Sequence, residues 1–230
     1  VLVQAAPTEA ETEFMLRLSD ENSFILGVVG WVNFESPASA ERLRSFARHP
    51  AFVGVRPMIQ DIPDTNWMLG DALAPAFESV IANHITFDAL TLPRHLPNLR
   101  KLLARYPTMR VVIDHGSKPQ IAEQTFDIWA TDIAALAGDS SAYCKLSGLI
   151  TEASDTWTTH DIKPYVDHLL ESFGPSRLIW GSDRPVCTLA GSYDQWIEIT
   201  ETLLCDLTEP EKASVMGGNA LKAYSIERPK

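Results

Sequence analysis

The sequence predicts an α/β fold, and within that class a (β/α)8 TIM-like barrel. Short β-branched runs recur at intervals of roughly 25–35 residues, the length of a βα unit. Amphipathic helical patterns fill the gaps between them. No G-x-G-x-x-G or G-x-x-x-x-G-K-[ST] turn follows any run, so the usual mark of an open nucleotide-binding sheet is missing. Such an alternation requires parallel strands joined by crossover helices, and without that mark the barrel is favoured over the doubly wound sheet.

In chain order, the strand-like runs are 1–4, 24–32, 52–58, 85–90, 110–114, 143–146 and 177–180. Helical patterns are assigned to 8–19, 38–47, 96–106, 125–137, 161–173 and 193–204. The clearest is 161–173, where Ile162, Tyr165, Val166, Leu169, Leu170 and Phe173 share one face, and Gly174-Pro175 stops it. The acidic residues between Glu9 and Glu21 fit a solvated helical face. No Pro/Ser/Gly-rich linker divides the 230 residues, so residues 1–230 are expected to form a single barrel domain.

Composition narrows the function. The chain is 45% hydrophobic and 21% charged, as in ordinary globular proteins. Its apolar runs, such as 24–32 with Gly27 and Gly30 inside, fall short of the roughly 20 residues that span a bilayer. Nineteen basic against thirty acidic residues give a net charge of −11, which argues against nucleic acid and anionic membranes as partners and leaves room for a local basic pocket. The three cysteines are far apart and form no Cys-x-x-Cys pair, so a disulfide framework and a thiolate zinc knuckle are not indicated and a cytoplasmic setting is expected. The chain opens at Val1 in a strand-like run, which leaves room for an initiator or targeting segment upstream.

In a barrel, reacting groups sit where strands end and loops begin. Asp183 follows Leu178-Ile179-Trp180 through the small residues Gly181 and Ser182, placing a carboxylate able to accept a proton from water or hold a cation. Capping the next helix or pairing with Arg184 is the structural alternative. His115 closes Val111-Val112-Ile113 in the same manner, beside Asp114. Arg56 and Lys145 interrupt strand-like sequence, and an inward cation needs an anion: either a substrate oxygen or a structural partner such as Asp88 or Asp114. Trp31 and Trp157 offer an aromatic wall for a ligand, or simple packing. His49, His95 and His168 fit helical positions, and His84 and His160 fit loops. Neither a Gly-x-Ser-x-Gly elbow nor a cysteine with a neighbouring histidine points to covalent catalysis.

Taken in order, Asp114-His115-Gly116-Ser117-Lys118-Pro119, Lys145-Leu146-Ser147-Gly148-Leu149, Trp180-Gly181-Ser182-Asp183-Arg184-Pro185-Val186-Cys187 and Gly217-Gly218-Asn219-Ala220-Leu221-Lys222-Ala223-Tyr224 resemble the amidohydrolase superfamily, in its amidohydrolase-2 branch. Val29-Gly30-Trp31-Val32, Thr151-Glu152-Ala153 and Leu189-Ala190-Gly191-Ser192-Tyr193-Asp194-Gln195-Trp196 resemble the L-fuconolactonase and L-rhamnonolactonase side of that branch.

The resemblance implies a distorted barrel hydrolysing a small lactone, with Asp183 as the strand-eight acid, His115 as the strand-six histidine, and Arg56, Lys145 and Trp31 as substrate contacts. The family opens with a His-x-His strand, and no His-x-His occurs here. On the family layout the seven runs are strands two to eight, with about 50 residues expected upstream of Val1. His115 and Asp183 are then the metal-ligand candidates in this chain, so the expected cofactor is one divalent metal such as zinc, or none. The expected partner is a small lactone, with a homo-oligomer allowed. Two rivals remain: a 2-pyrone-4,6-dicarboxylate hydrolase or related decarboxylase, and an inactive or truncated barrel that binds without turnover.

Overall fold

A computed structural model of the chain describes residues 1–227. Among these residues, seven parallel strands follow one another in sequence order. They are β1 (Leu2–Val3), β2 (Val28–Gly30), β3 (Phe52–Val55), β4 (Thr86–Ala89), β5 (Val111–Ile113), β6 (Tyr143–Leu146) and β7 (Leu178–Trp180). The intervening helices are α1 (Glu9–Glu21), α2 (Ser39–Phe46), α3 (Ala74–Ala82), α4 (Leu96–Arg105), α5 (Asp127–Asp139), α6 (Thr159–Phe173) and α7 (Tyr193–Leu203), followed by α8 (Glu209–Ala213) and α9 (Asn219–Ala223). The architecture is α/β, with the strand and helix alternation of a (β/α)8 barrel.

The chain forms two compact units. Among the described residues, one comprises Val1–Leu90, Asn98–Val112 and residues 220–227; the other comprises Thr91–Pro97 and Ile113–Asn219. In the first, Leu2 pairs with Val28, Val29 with Gly54, and Gly54 with Thr86, while the Phe87 N–H donates to the Arg110 carbonyl at 2.9 Å. Valines fill these strands because helices cover parallel sheets and leave no solvent face: Val28, Val29 and Val55 are fully buried. Gly30 permits the close approach of α1, since a Cβ there would lie 2.5 Å from Thr12 Cγ2. Phe34, Phe77 and Phe87 fill the space beneath α3, with ring centroids 5.4–6.1 Å apart.

In the second unit Cys144, Lys145 and Leu146 pair with Leu178, Ile179 and Trp180. Its apolar centre is built on Trp129, which packs against Phe126 and Tyr165 at 5.7 and 5.3 Å. Thr158 and Asp161 cap α6, the Asp161 carboxylate accepting from the Thr158 N–H at 2.7 Å, and Gly174 ends it at φ 65°.

Two sequence expectations shift. The run 24–32 becomes a strand only from Val28: the Ile25 N–H closes a turn onto the Asn22 carbonyl at the end of α1, and Phe24 is 79% exposed. Helix α3 was not expected. Its Pro75 reads as a breaker in isolation, yet it occupies the helix's first turn, where the missing N–H costs nothing. Among the described residues, no helix is long and apolar enough to cross a membrane.

Candidate active site

The sharpest local feature of the second unit is the turn that ends β5. His115, Gly116, Ser117 and Lys118 all take left-handed backbone conformations, with φ of 54°, 57°, 62° and 52°. For the three residues with a side chain this costs of order 1–2 kcal/mol each, so the surroundings must hold the turn. The Trp129 indole donates to the Gly116 carbonyl at 2.7 Å, the Lys118 N–H to the His115 carbonyl at 2.8 Å, and the Thr91 and Ser117 hydroxyls are 2.7 Å apart. The result aims a largely buried imidazole out of the strand end.

Asp183, three residues beyond β7, is also left-handed, at φ 52°. Its carbonyl accepts from the Cys187 N–H at 2.8 Å, which anchors the loop. Its Oδ1 stands 3.7 Å from His115 Nε2. That is too long for a direct hydrogen bond, yet close enough for one water or substrate oxygen to touch both groups. On the other side of the ring, His115 Nδ1 lies 2.8 Å from Ser147 Oγ.

Lys145 has a protein partner: its Nζ is 2.6 Å from Asp114 Oδ1, and Asp114 is fully buried. Of the alternatives open in the sequence, an ion pair with Asp114 is therefore present. Burial, and secondarily the Asp183 charge, pushes the Cys187 thiol up, and burial does the same at Cys144. Neither is poised as a thiolate nucleophile.

Arg56 and Trp31 lie in the first unit. The Arg56 guanidinium donates to the Gln4 carbonyl, and Gln4 Nε2 returns a bond to the Arg56 carbonyl at 2.8 Å. The Trp31 backbone is held on both sides by the Thr12 hydroxyl, at 2.8 and 3.2 Å. Trp157, in the second unit, donates its indole N–H to the Ala190 carbonyl at 2.9 Å. The structure thus brings His115 and Asp183 together and sets Lys145 on the neighbour of His115. Ser147 directly follows β6, two residues after Lys145; its place at a strand end is the signal in the sequence that marks it, although a hydroxyl carries no charge to single it out.

Among the described residues no group of three or more His, Cys, Asp or Glu side chains stands together. His115 and Asp183 make two, and a catalytic zinc takes three from protein.

The family profile described as "Amidohydrolase" matches residues 1–226. An L-fucono-1,5-lactonase of Burkholderia ambifaria is 43% identical over 234 residues, covering all of this chain and 80% of that protein. A second L-fucono-1,5-lactonase, from Burkholderia multivorans, is 34% identical and covers all of this chain and 81% of its own length. A crystal structure of an amidohydrolase from Burkholderia multivorans with bound zinc superposes with a TM-score of 0.91 at 33% identity, over 98% of this chain and 82% of that one. With the profile spanning both units and the expected strand-end motifs inside it, the chain belongs to the amidohydrolase family, as a hydrolase of its lactonase kind.

Proposed function

We propose that this protein hydrolyses a small sugar-acid lactone, L-fucono-1,5-lactone foremost and L-rhamnono-lactone next. In this reading β1–β7 correspond to strands two to eight of the family barrel. The observation that carries the reaction is the facing of His115 Nε2 and Asp183 Oδ1 at 3.7 Å, on the segments that follow β5 and β7 within one unit. The 43% identity to an L-fucono-1,5-lactonase supports the substrate class.

Asp183 takes a proton from water as the water oxygen bonds to the ring carbonyl carbon. His115, carrying its proton on Nε2, donates to the carbonyl oxygen as negative charge develops there. When the tetrahedral intermediate collapses, the bond from the carbonyl carbon to the ring oxygen breaks. The proton held by Asp183 then passes to the departing oxygen, giving the open hydroxy acid. Lys145 keeps Asp114 neutralised behind the histidine. Arg56 and Trp31 carry no step of this scheme, and no step passes through a metal.

The dicarboxylate reading needs two cations for the substrate's carboxylates. Lys145 is engaged by Asp114 and Arg56 by the Gln4 carbonyl, so the neutral lactone is preferred. Three free thiols suit a reducing compartment, and the proposed setting is the cytoplasm.

The test is proton release on L-fucono-1,5-lactone, L-rhamnono-lactone and a 2-pyrone-4,6-dicarboxylate, with spontaneous opening subtracted. Turnover of the sugar lactones is expected, with Asp183→Asn lowering kcat by about 10²–10⁴-fold. Full activity in Asp183→Asn would remove the proposed base, and binding without turnover in the parent protein would favour the inactive barrel.

A further inference from the structure

A neutral imidazole has one N–H, and whatever faces the opposite nitrogen decides which nitrogen carries it. At His115 the group facing Nδ1 is the Ser147 hydroxyl, 2.8 Å away and 1% exposed, so bulk water does not compete for it.

Three features lock Ser147 in place. It directly follows β6, whose last residue pairs with Trp180 of β7. The Gly181 N–H donates to the Leu146 carbonyl at 3.1 Å, and a Cβ at Gly181 would lie 3.1 Å from Ser147 Cβ, so β7 closes against the serine. Gly148 comes next, at φ 64°, where a Cβ would lie 2.6 Å from His115 Nδ1 and 2.8 Å from Cγ. The imidazole therefore rests on the bare Gly148 backbone with a fixed hydroxyl beside Nδ1.

We propose that Ser147 is a positioning residue for His115: its hydroxyl donates to Nδ1, leaving the ring proton on Nε2, where it faces Asp183. This rests on the lactonase reading for its consequence in turnover. Its structural content, the tautomer, is separable from that reading. Ser147 does not touch the substrate in this scheme; it acts through the ring, so its loss falls on kcat and spares KM.

The experiment uses Ser147→Ala and Ser147→Thr. Nitrogen-15 NMR of histidine-labelled protein, above the histidine titration range and with His115→Gln to identify the signals, reads the tautomer without turnover. The parent protein and Ser147→Thr are expected to show a protonated Nε2 and a bare Nδ1 at His115, and Ser147→Ala a mixture of tautomers. On L-fucono-1,5-lactone, Ser147→Ala is expected to lose on the order of 10–100-fold in kcat with KM nearly unchanged, and Ser147→Thr to recover most of it. A proton on Nδ1 in the parent protein overturns the proposal. So does a Ser147→Ala protein that keeps the parent tautomer, whatever its kcat, because the serine would then be structural only. If no variant turns over lactone while the tautomer shifts as expected, the lactonase reading fails and the positioning stands.

Discussion

His115 sits in a backbone conformation that disfavours an L-residue, and Gly148 beneath it is a place where only glycine fits. Together they let the ring sit close over the Gly148 backbone, where a Cβ would lie 2.6 Å from Nδ1, with its Nε2 3.7 Å from Asp183 Oδ1. Gly148→Ala would add a methyl 2.6 Å from Nδ1 at a positive φ. Its expected cost is about 1–2 kcal/mol of stability from the backbone alone, read by urea denaturation, with a disproportionate loss of kcat as the ring is pushed off its seat. Parent-like turnover in a folded Gly148→Ala protein would show that the ring is not held there. His115 and Asp183 were legible in the sequence because each closes an apolar strand. The Ser147 contact was not, because a hydroxyl's role depends on what stands opposite it, and its partner is 32 residues away in the chain.

At the scale of elements, β7 is pinned at its start by the residue that opens α9. Asn219 is fully buried, and its Nδ2 donates to the carbonyls of Pro175 and Leu178, both at 2.8 Å. One amide thus ties the start of the α6–β7 connection to the first residue of the strand that leads to Asp183. Asn219→Ala leaves one buried and one half-buried carbonyl without this donor and is expected to cost about 1–3 kcal/mol. Asn219→Asp sets a carboxylate against those carbonyls and is expected to cost more. Chemical denaturation midpoints check both, and an Asp variant as stable as the parent would contradict the pinning. The closing Gly-Gly-Asn motif was visible in the sequence as a pattern, but its function as a clamp was not, since the bonds cross more than 40 residues. Most helices were legible from their periodicity. Helix α3 was not, because a proline is neutral in a first turn and disruptive farther in, and the sequence alone does not show which position it holds.

For the whole molecule, the net charge of −11 bears on what can approach it. A neutral lactone feels no long-range field, so kcat/KM for L-fucono-1,5-lactone is expected to change less than about twofold between low and physiological ionic strength. A dianionic pyrone is repelled and would gain with added salt; a strong salt dependence on the lactone would point instead to a charged substrate. The strand and helix rhythm, the parallel α/β class and the strand-end acid and histidine were all determined by the sequence alone, because periodicity and strand closure are local properties of the chain. Tertiary structure alone decided that Lys145 is held by Asp114, that Arg56 binds the end of β1 at Gln4, and that Ser147 stands behind His115. Each depends on which strand ends become neighbours, and a buried polar group takes the partner that the packing brings within about 3 Å of it.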